Sequence, residues 1–430
     1  MRITFLATLT LGLVLLGGRS ARGGNDWPQF RGPTGLGYTD QKNLPVQWDQ
    51  KSGKNVRWKS ALVGEGHASP IVSGGRLFVC TVRWPEAVRE REKVIPEQHV
   101  LCYRNADGKL LWDTLVPAGP WVRNDFRSGP GGGYACPTPT TDGRRVYCVF
   151  GSAMLAAVDF DGKLLWHKAI IPYTFDVTVG SSPILDGENL LMFCPMTVAS
   201  DSALVAYDKQ SGKERWRAPL PGTSFGHSTP VLISAGGRRQ LLVLAGGMDT
   251  SPQGLQALDP RDGKRLWWCS GGGESASAAY ASGIACFDSG RGSALRAVAV
   301  DGSGDVSKTH VRWTASGVSG DLSSPVIVDK FIYRLSSAGV LKSFGMADGK
   351  PVQALRLEGL GTTWASPVAD PNGRIYFANA GKSFVIQSGE KFKILAVNDL
   401  GDSNHPSPAV ADDCLYLVGA KQVFCVGAKP

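Results

Sequence analysis

A six-residue phrase recurs four times along the chain, at a spacing of about 50 residues. It reads DGKLLW at Asp107–Trp112 and at Asp161–Trp166, SGKERW at Ser211–Trp216, and DGKRLW at Asp262–Trp267. Self-similarity with a period of 20–50 residues is typical of repeat architectures, in which each repeat forms one supersecondary unit. The fold class therefore has to be derived from this repeat.

Each repeat contains four short apolar runs that read as strands. The first follows a Ser-Pro or Thr-Pro anchor, the second usually holds an aromatic residue, the third ends in Ala-x-Asp, and the fourth follows the Asp-Gly-Lys turn. Proline is tolerated where an opening strand needs no N–H, and the turn glycine supplies positive φ. The anchors are Pro70, Pro139, Pro183, Pro230, Pro325, Pro367 and Pro408, and a degenerate unit carries Ala278 instead. Eight such units predict an all-β, eight-bladed β-propeller of four-stranded antiparallel blades, whereas solenoid repeats are mostly helical or much shorter.

The eighth unit lacks its fourth strand, because the chain stops after the third. A matching segment, SGKNVRWKSAL, precedes the first anchor. We therefore expect residues 46–62 to complete the last blade and residues 24–430 to form a single propeller domain, closed by this N-terminal strand.

A tryptophan ends the fourth run of six units. Because a single blade cannot bury both of its faces, and a Trp buries roughly 150–250 Å², we expect these residues to pack structurally against the neighbouring blade. They are Trp58, Trp112, Trp166, Trp216, Trp267 and Trp313. The units ending near Leu355 and Leu395 lack the Trp, so their joints should be weaker or differently packed.

The first 23 residues have the pattern of a secretory signal peptide. Arg2 precedes a short apolar run, and small residues follow it around position 20. The run is too short for an ordinary membrane span, although an uncleaved anchor is the alternative interpretation. No cysteine lies near the cleavage region, which disfavours a lipoprotein, and no later segment approaches transmembrane length. We expect an exported monomer in the periplasm or outside the cell.

The charge and the cysteines narrow the functional classes. The formal charge of +9 falls by three units to +6 when the signal segment is removed. The remaining basic residues are scattered among acids, which argues against nucleic-acid binding. Most of the nine cysteines lie in apolar runs and are expected to fill the core, with a bridge such as Cys414–Cys425 or Cys80–Cys102 as the alternative. The chain has no Cys-x-x-Cys spacing, which excludes c-type haem attachment and the usual zinc and redox motifs.

The phrases AVDFDGKLLW (Ala157–Trp166) and AYDKQSGKERW (Ala206–Trp216) resemble the tryptophan-docking motif of the pyrroloquinoline quinone (PQQ)-like repeat propellers, the quinoprotein alcohol dehydrogenase-like superfamily. The segments Asp26–Gly37 and Asn398–Gly419 look like the non-enzymatic, exported branch of that superfamily. The resemblance covers nearly all of the mature chain.

This resemblance implies two functional alternatives. Enzymes of the family hold PQQ against a disulfide between adjacent cysteines, with calcium-binding carboxylates, but this chain has no Cys-Cys pair and no room for the long insertions of those enzymes. In size it is closer to the propellers that scaffold outer-membrane protein assembly, which are usually lipoproteins. We expect a binding or scaffolding module for an exported protein or a small ligand, with no catalytic residues and no cofactor. The alternative is a PQQ-dependent alcohol or sugar dehydrogenase with an atypical site.

Candidate binding residues lie three positions before each anchor, where the innermost strand should begin at the channel mouth. The candidates for a ligand-binding rim are His67, His227, Trp364 and His405. A structural role for the histidines is the alternative, and a zinc site is disfavoured because His227 and His405 belong to units half a ring apart. Two long insertions enlarge the first unit, and the second supplies the loop candidates Trp121, Arg123, Asp125 and Arg127.

Overall fold

Eight β-sheets are arranged as the blades of a propeller in the computed structural model of the protein. The structure describes residues 26–85, 94–120, 133–172, 179–196, 198–223, 226–245, 254–271, 273, 275–288, 294–317, 323–336, 338–361 and 363–428. The part it describes contains one short 3₁₀ helix, Ala199–Asp201, and no helix long and apolar enough to cross a membrane. The predicted fold, an eight-bladed all-β propeller of four-stranded antiparallel blades, is confirmed.

The first four blades follow one another along the chain, after β1 (Val56–Ala61), which belongs to the last blade. Their strands are β2 (Ile71–Ser73), β3 (Arg76–Arg83), β4 (Glu97–Arg104) and β5 (Leu110–Val116); β6 (Thr140–Thr141), β7 (Arg145–Phe150), β8 (Met154–Asp159) and β9 (Leu164–Ala169); β10 (Ile184–Asp186), β11 (Asn189–Cys194), β12 (Ala203–Asp208) and β13 (Glu214–Pro219); and β14 (Val231–Ala235), β15 (Arg238–Leu244), β16 (Leu255–Leu258) and β17 (Arg265–Cys269).

The last four blades complete the ring, and the degenerate unit also lends a short parallel strand, β21, to blade four. Their strands are β18 (Ala279–Ala281), β19 (Ile284–Asp288), β20 (Ala294–Ala299), β21 (Gly304–Asp305) and β22 (Val311–Ser316); β23 (Val326–Val328), β24 (Phe331–Leu335), β25 (Val340–Gly345) and β26 (Pro351–Arg356); β27 (Val368–Ala369), β28 (Arg374–Phe377), β29 (Lys382–Gln387) and β30 (Lys393–Asp399); and β31 (Ala409–Ala411), β32 (Cys414–Val418) and β33 (Gln422–Val426).

The N-terminal strand closes the propeller, as the incomplete eighth unit predicts. β1 pairs antiparallel with β33, with Trp58 opposite Cys425 and Lys59 opposite Phe424. The Leu62 amide extends this pairing with a 2.8 Å hydrogen bond to the Lys421 carbonyl. Blade eight therefore has its full set of four strands, in the order β1-β33-β32-β31.

Every outermost strand carries a one-residue irregularity just before the tryptophan position. In blade two, for example, Ala157 faces Trp166 and Val158 faces Leu164, so Leu165 is the extra residue. Equivalent shifts occur in the other seven blades. Because such a bulge bends the strand and re-aims the following side chain, it suits a position that must face the next blade.

Four of the tryptophans bond directly across the seam between two blades. Their indole Nε1–H donates to a backbone carbonyl at the end of the third strand of the next blade, over 2.8–3.2 Å. The pairs are Trp58 with Asn105, Trp112 with Phe160, Trp166 with Lys209, and Trp313 with Met346. The turn glycine of that next blade lies on the indole ring, and a Cβ on Gly162 would come within 2.9 Å of Trp112. The recurring phrase is therefore structural, since both its glycine and its tryptophan are used at a seam.

The other four seams are built differently. Trp216 packs on Gly263, but its buried Nε1 has no partner in the described part of the chain. Trp267 bonds within its own blade to Gln240, which in turn donates to Val300 of blade five. The units that lack the Trp have Gln353, which donates to the Phe392 carbonyl over 3.4 Å, and Ala396. Ala396 packs in one core cluster with Trp48, a buried residue of the N-terminal segment.

A ring of hydroxyl groups joins the innermost strands. The residue before each anchor accepts a hydrogen bond on its side-chain oxygen from the amide of the equivalent residue one blade earlier, over 2.8–3.3 Å. All eight blades contribute, so the ring is complete. We call this set the hydroxyl ring: Ser69, Thr138, Ser182, Thr229, Ser277, Ser324, Ser366 and Ser407.

All nine cysteines are free thiols in the structure, and eight of them are buried. Cys80 and Cys102 are not directly opposed, because Cys80 pairs with Val100 and Cys102 with Phe78. Burial raises the pKa of the Cys102 thiol, and of the Cys286 thiol, to about 12. Cys102 and Cys286 therefore behave as small apolar core residues.

Candidate functional site

Three of the four rim candidates form one aromatic cluster where blades seven, eight and one meet. The Trp364 and His405 rings are stacked, with centroids 4.5 Å apart and planes 17° apart. His67 packs edge-on against both, at 5.1 Å from His405 and 6.3 Å from Trp364. All three side chains are partly exposed. We call this group the rim cluster.

Asn404 holds the rim cluster together across the closing seam of the propeller. Its side-chain amide donates 3.0 Å hydrogen bonds to the carbonyls of Gly66 and Gly419, which fixes the orientation of the amide group. Its Oδ1 therefore accepts, both from the His405 backbone N–H at 2.9 Å and from His67 Nδ1 at 2.7 Å. In neutral His67 the proton accordingly lies on Nδ1, and Nε2 is left with its lone pair. The equivalent position of the other units holds other residue types, such as Gly66 and Thr363, so the repeat pattern gave no signal for Asn404.

His405 is held as a neutral imidazole. Burial, with a smaller contribution from the neighbouring His67, lowers its pKa to about 4. Its Nδ1 atom is buried and has no hydrogen-bond partner among the described residues. With Trp364 as a flat wall, the rim cluster offers an apolar surface with polar edges, which suits an aromatic or amphipathic group of a partner.

His227 lies apart from the rim cluster. Its ring fills the space beside Gly180, the equivalent position of blade three, where an added Cβ would collide with it. The three rim histidines share one packing arrangement. The ring of each one packs against the residue at the rim position of the preceding blade: His227 against Gly180, His405 against Trp364, and His67 against His405. The equivalent residue of blade six, Leu322, lies outside the described residues.

Both long connections of blade one leave from the end where His67 lies, because the antiparallel strand order returns β3 and β5 to that end. The described parts of these connections pack together, with Trp84 edge-on to the buried Tyr134 at 5.9 Å. The His67 amide bonds to the Ala135 carbonyl at 2.8 Å. The loop candidates Trp121, Arg123, Asp125 and Arg127 lie outside the described residues.

The family resemblance raises the question of PQQ with calcium. Within the described ranges no group of three or more His, Cys, Asp or Glu side chains is placed to hold a metal ion. No two cysteines are adjacent in the sequence, and Cys136, the cysteine at a rim position, is a free thiol. The residues present do not fit this cofactor.

The fold is an eight-bladed propeller closed by its N-terminal strand. The family described as outer membrane protein assembly factor BamB matches residues 34–120 and 96–355, and the chain belongs to this family. The predicted resemblance to PQQ-like repeat propellers is thereby confirmed.

Individual relatives are distant. The chain is 26% identical over 261 residues to the outer membrane protein assembly factor BamB of Moranella endobia (strain PCIT), a match that covers 55% of this chain and 64% of that protein, less than two thirds of its length. Among solved structures, BamB from Moraxella catarrhalis superposes with a TM-score of 0.58 at 13% identity, covering 86% of this chain and 98% of that one. A europium-containing methanol dehydrogenase superposes with a TM-score of 0.55 at 11% identity, covering 94% and 98%. At such identities the likeness shows the fold alone, and an assembly factor and an oxidoreductase share it.

Proposed function

We propose that the protein is an exported scaffold that binds another protein through the face that carries the rim cluster. The observation that carries this proposal is the convergence of His67, Trp364 and His405 into one partly exposed aromatic surface. Membership of the assembly-factor family supports a protein as the partner, and the N-terminal apolar segment supports export.

The chemistry of the face favours binding over catalysis. His405 is neutral at pH 7 and His67 is fixed by Asn404, so the cluster is a pre-organised surface rather than an activated acid or base. Tryptophan is among the residue types most enriched at the few central positions that carry most of the binding energy of an interface. Trp364 is therefore the expected anchor, with the blade-one connections beside it.

A site-specific cross-linking experiment tests this function. A photo-reactive amino acid replaces Trp364 in one variant and Arg144, in the turn after β6 on the opposite face, in a control variant. Cross-linking in envelope extracts of the native cells should give a discrete protein adduct at position 364 only. The partner is then identified by mass spectrometry and purified. Loss of a central tryptophan typically costs at least about 1.4 kcal/mol of binding free energy, which is a factor of ten, so Trp364→Ala should bind the partner at least about tenfold more weakly. Equal adducts at both positions, or unchanged affinity of Trp364→Ala, would contradict the proposal.

A further inference from the structure

In each blade a tight turn joins the innermost strand to the second strand, and we call the face that carries these turns the turn side. It is the face opposite the rim cluster, and the segment before β1 crosses it. The segment contacts six of the blades through backbone and side-chain hydrogen bonds and through apolar packing. The contacts are Trp27 with Val72 of blade one, Pro28 with Thr141 of blade two, Leu36 with the core of blades four and five, Tyr38 with Ile327 of blade six, and Thr39 with Ala369 of blade seven. This segment therefore spans the turn-side end of the inner strands.

Arg31 lies in the middle of this segment, and its side chain is buried, with 2% of its surface exposed. One nitrogen of the guanidinium, Nη2, donates to the carbonyls of Leu36 at 2.9 Å and Pro325 at 2.6 Å. The other two nitrogens, Nε and Nη1, are buried and have no hydrogen-bond partner among the described residues. Because a guanidinium has five N–H groups, three of them lack an acceptor in the described part of the chain.

No carboxylate of the described residues forms an ion pair with Arg31. The groups that act on it electrostatically are the phenol of Tyr38 and the guanidinium of Arg334, the second of which is itself positive. Burial raises the pKa of Tyr38 to about 12, so this phenol carries no compensating charge at neutral pH. Burial lowers the pKa of Arg31, but only to about 10, so Arg31 remains a cation at pH 7.

Buried donors are almost always hydrogen-bonded, and a buried charge is normally paired. Arg31 violates both regularities at once. A donor-rich, positively charged, enclosed position of this kind needs an acceptor that the described residues do not supply. A negatively charged acceptor answers both the missing hydrogen bonds and the missing charge, whereas a water molecule answers only the first.

The hydroxyl ring supplies further donors, and its member Ser324 lies one residue before Pro325, whose carbonyl Arg31 binds. Each ring hydroxyl accepts an amide N–H and, within the described residues, donates to no protein acceptor. Each therefore keeps its own proton for a ligand or for water.

We propose that the turn-side end of the central channel is an anion site, in which Nε and Nη1 of Arg31 and hydroxyl protons of the ring bind a small inorganic anion such as chloride or phosphate. This site is separate from the rim cluster and does not depend on the proposed protein-binding function. In this site one anion would contact both the N-terminal segment, through Arg31, and the blades, through the ring hydroxyls. Anion binding should therefore stabilise the closed propeller.

Anomalous diffraction tests the site directly. Crystals of the wild-type protein are soaked in sodium bromide, which replaces chloride and scatters anomalously, and a second set is soaked in sodium phosphate. We expect a bromide peak or a phosphate group within hydrogen-bonding distance, about 3.3 Å, of Nε or Nη1 of Arg31. The halide arm and the phosphate arm distinguish the two kinds of anion. Water alone at this position in both soaks would overturn the proposal.

A solution experiment provides the matched controls. The melting temperature of the full chain is measured against chloride, and against phosphate, at constant ionic strength set with sodium gluconate. The wild type and Arg312→Met, which removes an exposed arginine, should show a saturable rise in melting temperature, and Arg31→Met should lose the rise. Arg31→Lys, which keeps the charge, should retain part of it. An identical dependence of the melting temperature on anion concentration in Arg31→Met and in the wild type would refute the site. If Arg31→Met does not fold, the bromide soak and Arg31→Lys still decide the question.

Discussion

The backbone amide of Ser407 donates a 2.9 Å hydrogen bond to the hydroxyl of Ser69, although 338 residues separate them in the chain. This bond joins blade eight to blade one and completes the hydroxyl ring around the inner strands. At the same seam β1 completes blade eight at its outer edge, and Asn404 links the two blades at the rim. The joint between the first and last blades is thus fastened at three separate places.

Removal of one ring hydroxyl should destabilise the propeller measurably. In Ser69→Ala the amide of Ser407 loses its acceptor while it remains buried, which costs about 1–3 kcal/mol. Urea unfolding of the wild type, Ser69→Ala and the exposed-strand control Ser234→Ala measures the difference. Equal midpoints for all three proteins would show that the ring contributes nothing to stability.

Deletion of residues 46–62 should open the ring. The deletion removes β1, the buried Trp48 and Trp58, and it exposes the hydrogen-bonding edge of β33. An exposed strand edge promotes association with other chains, so we expect aggregation or a large fall in melting temperature, measured by light scattering and calorimetry. Lys59→Ala, which changes only an exposed side chain of β1, is the control. A truncated protein that stays monomeric and melts unchanged would show that β1 is dispensable for closure.

The turn glycines under the tryptophans should tolerate alanine less well than turn glycines in open space. Gly162 (φ +89°) lies on Trp112, whereas Gly143 of the same blade (φ +83°) has no atom within 4 Å of an added Cβ. Both alanine substitutions carry the strain of positive φ, but Gly162→Ala also overpacks the seam, which typically costs a further 1–3 kcal/mol or so. Chemical denaturation of the pair isolates this contact. Similar losses for both variants would mean that Trp112 moves away at little cost.

The low pKa of His405 should make stability pH-dependent on the acid side. Its pKa is lowered from 6.5 to about 4 in the folded protein. As the pH falls from about 6.5 to about 4, the unfolded chain binds a proton that the folded chain rejects, so stability decreases over this window, and no dependence on His405 is expected above it. Melting temperatures between pH 4 and 8 should fall less steeply in His405→Gln than in the wild type or in the exposed control His167→Gln. Parallel curves for all three would show that His405 titrates normally.

The double variant His67→Ala/His405→Ala separates function from scaffold at the rim. If the rim cluster binds the partner, this variant should weaken partner binding by tenfold or more and change the melting temperature little. Isothermal titration with the identified partner, together with calorimetry, measures both quantities. A loss of several degrees in melting temperature with unchanged affinity would make the two histidines structural residues that hold the seam.

The protein should not oxidise alcohols or sugars with PQQ. The described residues contain no cluster of three or more His, Cys, Asp or Glu side chains placed to hold a metal ion, and the chain has no adjacent cysteines. Dye-linked assays with PQQ and calcium should remain at background, and the visible spectrum of the protein should not change when both are added. Turnover that requires both additions would contradict this expectation.

The repeat predicted the fold because residues that have the same structural role in each blade recur at the same spacing in the sequence. The phrase from Asp161 to Trp166 holds a turn glycine and a seam tryptophan. The anchors that open the units predicted the number of blades, and the segment before the first anchor predicted the missing strand. The order of the units also puts Trp364, His405 and His67 in consecutive blades, and the structure adds the distances between them. Residues that occur once and act across long separations left no such signal. Arg31 and Asn404 fall in this class, since their bonds to Pro325 and Gly66 span 294 and 338 residues.

The pairing of β1 with β33 also determines when the molecule can become complete. β1 precedes the strands of the first seven blades in the chain and β33 follows all of them, so blade eight cannot form before those seven blades have been synthesised. Contacts between residues so far apart in sequence slow folding, because a long loop must close before they form. Until that pairing forms, the edges of β1 and β33 have no partner strand, and unpaired strand edges favour aggregation. This arrangement also separates complete from incomplete chains. A chain truncated before Gln422 lacks the strand that pairs with β1 and cannot form the closed ring.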